Sequence, residues 1–247
     1  MSHIHIPDGI IPLYIWIPAY LITFGIIFLI SKSINKDHVK KLLPLTGVMA
    51  ALMLIGMSVP LVIIPVHLSL AVLTGILIGP KLGFIVVFVV SLILATFGHG
   101  GFTIVGINSL VIGSEVFIGS MLFKLLGRKR KLIGVVISTV IALIVSIALM
   151  FSVVGYAAGF SYAIPHTHVE DEHHEEHLED EHHEHDHEHL SEAISEVNYL
   201  FFTGWIALIL IFGFGVALET IVTALIVMFF YKVRPTLVDS KYSPADS

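Results

Sequence analysis

The stretch IPLYIWIPAYLITFGIIFLIS, residues 11–31, decides the fold class because 21 consecutive residues carry no charged side chain. A helix needs roughly 20 predominantly apolar residues to cross the hydrocarbon core of a bilayer. No basic segment precedes this run, and no small-residue cleavage site follows it. We therefore interpret it as a retained membrane helix rather than a cleaved signal peptide.

Similar apolar runs recur along the whole chain. Of its 247 residues, 56% are hydrophobic and only 13% are charged, about half of the ~25% charged residues typical of soluble domains. This composition predicts an all-α, polytopic membrane protein. We predict seven membrane helices, at about 11–31, 43–58, 68–79, 82–97, 104–126, 132–157 and 199–231.

The third and fourth predicted helices could instead form one long span. A single span would place Lys81 near the middle of the membrane, where a lysine costs ~2.5–3.5 kcal/mol on insertion scales. The adjacent Gly79-Pro80 pair disfavours a continuous helix. We therefore predict two short spans that meet at this pair.

Lysine and arginine predict the orientation in the membrane. They follow the first, third, fifth and seventh helices, whereas the N-terminus and the loops after the second, fourth and sixth contain neither. Because basic loops remain in the cytoplasm, the N-terminus is predicted outside and the C-terminus inside. The resulting segments are an external arm (1–10), six helices (11–157), an external loop (158–198), a seventh helix (199–234) and a cytoplasmic tail (235–247).

The external loop carries HTHVEDEHHEEHLEDEHHEHDHEHL at residues 166–190, with ten histidines, eleven acidic residues and no lysine or arginine. Such a composition cannot bury a core, so we expect it to lack order. Imidazoles suit Zn²⁺, Cu²⁺, Ni²⁺ and Co²⁺, which predicts a weak, multi-site metal collector. A solvated acidic loop and a pH-sensing segment are the alternatives. The histidines are His166, His168, His173, His174, His177, His182, His183, His185, His187 and His189.

The same tract contains HEHDH at residues 183–187, which matches the H-E-x-x-H pattern of zinc proteases. A chance match is expected in a segment this rich in histidine and glutamate, and no third ligand is evident. The chain has no cysteine, so thiolate metal sites are excluded as well. An intramembrane metal-dependent hydrolase is therefore a remote alternative.

The external arm offers a different metal chemistry. It reads MSHIHIPDG, with His3 third from the N-terminus. An amine, two amide nitrogens and the imidazole of His3 can surround Ni²⁺ or Cu²⁺ in a square plane, the geometry that these ions favour. If Met1 is removed, Ser2 supplies the amine, and a further ligand such as His5 or His67 is needed to complete the plane.

Two more histidines are predicted on the outer side of the membrane. His67 precedes the third helix, and His99 lies in the turn FGHGG at 97–101. Ordinary interpretations are a capping or packed side chain for His67 and a turn residue for His99. Their shared side with the arm favours convergence on one external cavity.

Several segments resemble the cobalt/nickel permease family, the CbiM/NikM-type substrate-binding membrane components of energy-coupling factor (ECF) ABC transporters. HIPDGIIPLYIWI (5–17) resembles its N-terminal signature, and VHLSLAVLTGILIGPKLGF (66–84) its histidine-containing stretch. FGHGGFTIVGINSLVIGS (97–114) and VALETIVTALIV (216–227) resemble its glycine-asparagine segment and its last helix.

The resemblance implies a metal held near the outer face in a square plane of nitrogens. In that family the second residue is a histidine, and the ligands are the N-terminal amine together with the amide and ring nitrogens of this histidine. The remaining ligand is a histidine before the third helix, which maps onto His67. The family's N-terminal histidine maps onto His5, which is three residues further from the amine than the family pattern requires. Either His3 forms the amine-linked chelate, or the His5 site loses its amine ligand. We favour His3 with the amine, joined by His67, with His5 as a ligand or supporting residue, so that the metal residues are Met1, Ser2, His3, His5 and His67.

Other positions are accessory. His99 stands where the family usually has an acidic residue, and Asn108 matches a family asparagine that we expect to orient a ligand. Glu115 and Glu219 fall inside predicted helices, where carboxylates are rare and costly. Their interpretation stays open between a hydrogen-bonded helix contact and a functional role.

These observations predict the substrate-binding component of an ATP-driven Ni²⁺ or Co²⁺ uptake transporter in the cell membrane, with no enzymatic activity and no organic cofactor. The chain lacks a G-x-x-x-x-G-K-[ST] phosphate loop. The resemblance implies separate ATPase subunits, a transmembrane coupling subunit and a small accessory membrane subunit, and no nucleic acid is expected as a partner. The alternative is a stand-alone zinc or divalent-metal transporter, which would need polar ligands deep in several helices.

Overall fold

A computed structural model of the protein describes residues 11–58, 67–98, 100–128, 130–158 and 186–238, with the backbone alone for 186–208. Every regular element in these ranges is helical. The helices are α1 (Leu13–Ser33), α2 (Lys36–Ser58), α3 (Ala71–Ile78), α4 (Pro80–Thr96), α5 (Val105–Leu126), α6 (Lys131–Ala158), α7 (Asp186–Val233) and α8 (Pro235–Val238). A single 3₁₀ turn, Phe102–Ile104, precedes α5.

The lengths of these helices bear on the predicted spans. Five helical segments are long and apolar enough to cross a membrane, namely Leu13–Ser33, Val39–Ser58, Phe102–Leu126, Lys131–Ala157 and Ile209–Val233, and α4 is a shorter apolar helix. The eight residues of α3 extend only ~12 Å, so α3 cannot cross a ~30 Å core by itself. The described residues confirm the all-helical class, and their five candidate spans are consistent with a polytopic membrane protein, while the number of crossings stays a prediction.

The break between the third and fourth helices is confirmed. Gly79 has φ +84°, in the region that glycine adopts without steric cost, and Pro80 is the first residue of α4. Lys81 follows at the exposed start of α4, and its Nζ donates a hydrogen bond to the carbonyl oxygen of Ser33, 3.3 Å away. The lysine therefore lies at the end of α1, next to the basic segment that follows it.

Helix α5 lies at the centre of the bundle and packs against α1, α3, α4 and α6. The approach of α1 is close at Gly106, where an added Cβ would lie 2.9 Å from the Tyr20 nitrogen. Thr23 Oγ1 donates to the Gly106 carbonyl oxygen at 3.0 Å, and the Tyr20 hydroxyl donates to the Phe102 carbonyl oxygen. Glycine here permits the short helix separation that is typical of membrane bundles.

The buried residues form two apolar clusters. The larger cluster joins α2 to α7, with α6 contributing Val135, and it includes Val238 of α8. The smaller cluster joins the start of α1 to α5 and the end of α6, and includes Ile11, Ile104 and Met150. Large apolar side chains on the outer face of α1, such as Leu21 and Phe28, remain exposed, as expected for a surface that contacts lipid.

The longest helix differs most from its expected bounds. Helix α7 begins at Asp186 rather than near 199, so its first turns include the end of the histidine-rich tract. Its side chains are described only from Ile209 onward. The remaining helices begin or end within a few residues of the expected bounds, except that α2 starts at Lys36 instead of 43.

Candidate functional site

The segment from His67 to Leu70 connects to α3 and is fixed at both ends. The Leu68 amide donates to the Gly56 carbonyl oxygen on α2 at 3.0 Å. Gly56 approaches so closely that an added Cβ would lie 2.7 Å from the Leu68 carbonyl oxygen. Leu70 adopts a left-handed conformation with φ +52°, which is costly for a residue with a branched side chain. Tertiary contacts must therefore hold this turn in place.

Glu219 on α7 supplies the principal contacts to the turn. Its Oε2 accepts a hydrogen bond from the Ser69 amide at 3.1 Å, and its Oε1 accepts one from the Leu70 amide at 2.9 Å. The Ser69 hydroxyl lies 2.5 Å from the same Oε1. The carboxyl group thus caps the N-terminus of α3, where backbone amides lack partners within the helix.

A second glutamate reaches the same serine from α5. Glu115 Oε2 lies 2.6 Å from the Ser69 hydroxyl, and Glu115 Oε1 lies 2.6 Å from the hydroxyl of Ser146 on α6. Glu115, Glu219, Ser69 and Ser146 are all buried. One hydrogen-bonded group therefore joins the turn before α3 to helices α5, α6 and α7.

This polar group lies near mid-depth in the bundle. Glu115 is ten residues after the start of α5 and eleven before its end. Glu219 precedes Val233, the last residue of α7, by 14 residues. Helix α3 therefore begins beside the middle of α5, and it extends toward α8, which it contacts.

Asn108 precedes Glu115 by two helical turns, so the two residues lie on the same side of α5. Its Nδ2 would be 4.0 Å from a Cβ added to Gly100, so the amide is next to Gly100. Ile11, where the N-terminal arm ends, packs in the cluster with Ile104 and Ile107. The arm therefore joins the bundle at the end of α5 that carries Asn108.

Most of the expected metal residues lie outside the described residues. These are Met1, Ser2, His3, His5 and His99, together with the tract histidines from His166 to His185. His187 and His189 lie on α7, where only the backbone is described. His67 is half-buried, with its Nδ1 atom shielded from solvent. In the described ranges, no three histidine or acidic side chains are arranged to hold a metal ion.

Ser69 and Ser146 were not among the residues predicted from the sequence. Both serines lie within apolar runs, in HLSLAVL and LIVSIAL. Serines in membrane helices commonly donate a hydrogen bond to a backbone carbonyl of their own helix, so they attract no notice in the sequence. A buried carboxyl group needs hydrogen-bond partners, so Glu115 and Glu219 indicated that polar residues would lie opposite them. The spacing along the chain does not reveal which serines provide them.

The fold and this buried polar group define a polytopic helical membrane protein with a half-length helix that begins at mid-depth. The chain belongs to the CbiM family, described as the cobalt uptake substrate-specific transmembrane region, which it matches over residues 5–237. It is a membrane transport component of a transition-metal uptake family.

Two solved structures share the fold. A truncated transition metal transporter superposes with a TM-score of 0.66 at 18% identity, covering 93% of this chain and 99% of that chain. A second transition metal transporter superposes with a TM-score of 0.63 at 20% identity, covering 93% of each. No curated protein sequence matches this chain significantly.

Proposed function

We propose that the protein is the substrate-binding membrane component of an ATP-driven Ni²⁺ or Co²⁺ uptake transporter of the ECF type. The family match over nearly the whole chain is the observation that carries this proposal. The coupling subunit, the ATPase subunits and the small accessory subunit belong to the proposal, as does location in the cell membrane with seven crossings. Nickel is favoured over cobalt because a square plane of nitrogen ligands suits Ni²⁺.

The proposed site consists of the N-terminal amine, His3 and His67, with His5 as a ligand or supporting residue. Two features of the described residues support it. His67 directly precedes a turn whose amides are bonded to Gly56 and Glu219, and the N-terminal arm joins the bundle beside Ile104, at the end of α5 that carries Asn108. Asn108 and His99 are proposed as accessory groups that orient a ligand. The histidine-rich tract collects the ion outside the membrane.

The test is metal uptake in cells that carry the partner subunits, with Ni²⁺ and Co²⁺ compared at limiting concentration. His67→Ala and His3→Ala are expected to lower uptake at least ~10-fold, because each variant removes a proposed metal ligand. His38→Ala, at the cytoplasmic histidine, is the matched control and should retain uptake. Unchanged high-affinity uptake by His67→Ala would show that the proposed site is wrong.

Three further experiments distinguish this proposal from the alternative functions and ligand sets. Deletion of 166–189 should reduce uptake at limiting metal, and saturating metal should restore the uptake of this variant. This is the behaviour expected if the tract is a collector. Uptake by this chain without its partners would favour the stand-alone divalent-metal transporter. His5→Ala, with mass spectrometry of the intact N-terminus, identifies which histidine shares the ion with the amine.

A further inference from the structure

The three side chains Glu115, Ser69 and Glu219 form a connected group, which we call the Glu115–Ser69–Glu219 chain. The single hydroxyl of Ser69 lies 2.6 Å from Glu115 Oε2 and 2.5 Å from Glu219 Oε1. A serine hydroxyl donates one hydrogen bond, and an ionised carboxylate donates none. If both glutamates were ionised, one of these two contacts would place two acceptors together without a proton. One of the carboxyl groups must therefore be the donor to Ser69.

The remaining contacts identify the donor. Glu219 accepts backbone amides on both oxygens, from Ser69 at 3.1 Å and from Leu70 at 2.9 Å. An arrangement in which both oxygens accept suits a carboxylate, and the N-terminus of α3 further favours negative charge there. Among the described residues, Glu115 meets only the hydroxyl groups of Ser69 and Ser146, and Ser146 can donate to its second oxygen. The proton therefore belongs on Glu115, which donates to Ser69, and Ser69 donates to Glu219.

This assignment accounts for four consecutive backbone amides beside His67. Leu68 donates to Gly56, Ser69 and Leu70 donate to Glu219, and the Ala71 amide donates to the Ser69 hydroxyl at 3.3 Å. The strained conformation of Leu70 is held between these bonds. A loss of the Glu219 carboxylate would release two of the four amides and the turn with them.

We propose that Glu219, acting through Ser69 and Leu70, is a positioning residue for His67, and that Glu115 is the neutral acid that completes the chain. The first half rests on the proposed function, since it assumes that His67 binds the ion. The second half concerns the buried chain alone and holds whatever ion is transported.

The isosteric variants Glu115→Gln and Glu219→Gln provide a matched test. A glutamine at 115 can donate from its amide nitrogen to Ser69 and accept from Ser146, as the neutral acid does. A glutamine at 219 must turn its NH₂ group toward one of two backbone amides, so one donor faces another. In purified full-length protein, Glu219→Gln should lower the Tm by roughly 5 °C or more, and Glu115→Gln by much less.

Infrared spectroscopy tests the proton directly. At neutral pH the wild-type protein should show the C=O band of a protonated carboxyl group, and Glu115→Gln should remove it. Persistence of the band in Glu115→Gln would overturn the assignment. Equal loss of stability in the two glutamine variants would do the same.

Calorimetric titration with Ni²⁺ alone tests the positioning role. Glu219→Gln should weaken the Kd at least ~10-fold, and Glu115→Gln less than ~3-fold. If Glu219→Gln does not yield folded protein, Ser69→Ala is titrated instead and should also weaken the Kd more than Glu115→Gln. An unchanged Kd in folded Glu219→Gln, or in Ser69→Ala where that variant replaces it, would overturn the positioning role, provided that His67→Ala abolishes the high-affinity binding and leaves only the weak binding of the histidine-rich tract. If His67→Ala retains full affinity, the proposed metal site fails instead, while the infrared result still stands.

Discussion

Ser146 and Ser152 lie on the same helix but have different partners. Ser146 is buried and lies 2.6 Å from Glu115, whereas Ser152 is exposed and donates to the Ala148 carbonyl oxygen of its own helix at 2.7 Å. A buried polar group that loses its partner costs more than an exposed one, because no water replaces the bond. The importance of a serine in this bundle therefore depends on what it faces across the helix contact.

Ser146→Ala is expected to destabilise the protein by about 1–2 kcal/mol, because Glu115 Oε1 loses its donor. Ser152→Ala is the matched control and should change the free energy of unfolding by less than about 0.5 kcal/mol. Thermal unfolding in detergent measures both. A Ser146→Ala protein as stable as the control would mean that Glu115 does not depend on this hydroxyl.

At this same scale, the sequence shows that two buried carboxyl groups need hydrogen-bond partners, but it does not show which residues provide them. Two carboxyl groups in apolar helices had to be paired, and the structure pairs both. The partner of Glu219 could not be found from spacing, because Ser69 is 150 positions away along the chain. Two of the bonds are also made by backbone amides, which every sequence position except proline offers equally.

At the scale of elements, the close packing of α3 against α5 depends on Gly75. A Cβ added at Gly75 would lie 2.6 Å from the Val116 carbonyl oxygen and 3.1 Å from its Cγ1. The nearest atom belongs to the backbone, so a change of rotamer cannot relieve the contact. By contrast, no described atom outside the neighbouring backbone of α1 lies within 4 Å of a Cβ added to the exposed Gly25.

Gly75→Ala should therefore destabilise the protein by about 1–3 kcal/mol, since α3 must move away from α5. Gly25→Ala should be neutral or stabilise by up to about 1 kcal/mol, because alanine is the better helix former. Thermal unfolding of the two variants provides the comparison. If Gly75→Ala matches Gly25→Ala in stability, the close α3–α5 contact is contradicted.

The boundary between α3 and α4 could be predicted, but the depth of α3 could not. The Gly79-Pro80 pair is a local signal, and the helix ends there for local steric reasons. The start of α3 is fixed by Glu219 and Gly56, which are distant in sequence. Hydropathy therefore gave an expected span of 68–79, whereas the helix itself begins only at Ala71, near mid-depth.

At the scale of the whole molecule, contacts between elements place basic residues at one end of the bundle. Lys81 donates to the end of α1, and Lys131 lies over the rings of Phe123 and Tyr231, near the ends of α5 and α7. Helix α3, which leads to Lys81, also packs against α8 beyond the end of α7. This arrangement agrees with the proposal that one end of the bundle faces the cytoplasm.

The proposed orientation can be tested cleanly because the chain contains no cysteine. Ser161→Cys places a thiol in the proposed external loop, and Ser243→Cys places one in the proposed cytoplasmic tail. A membrane-impermeant maleimide added to intact cells should label the first variant, and the second only after the membrane is permeabilised, because basic flanking residues retain the tail inside. The cysteine-free parent reports background labelling. Labelling of Ser243→Cys in intact cells would place the tail outside, and with it the basic end of the bundle. The external metal site would then have to be abandoned, since His67 lies on the opposite side of the half-length helix from that end.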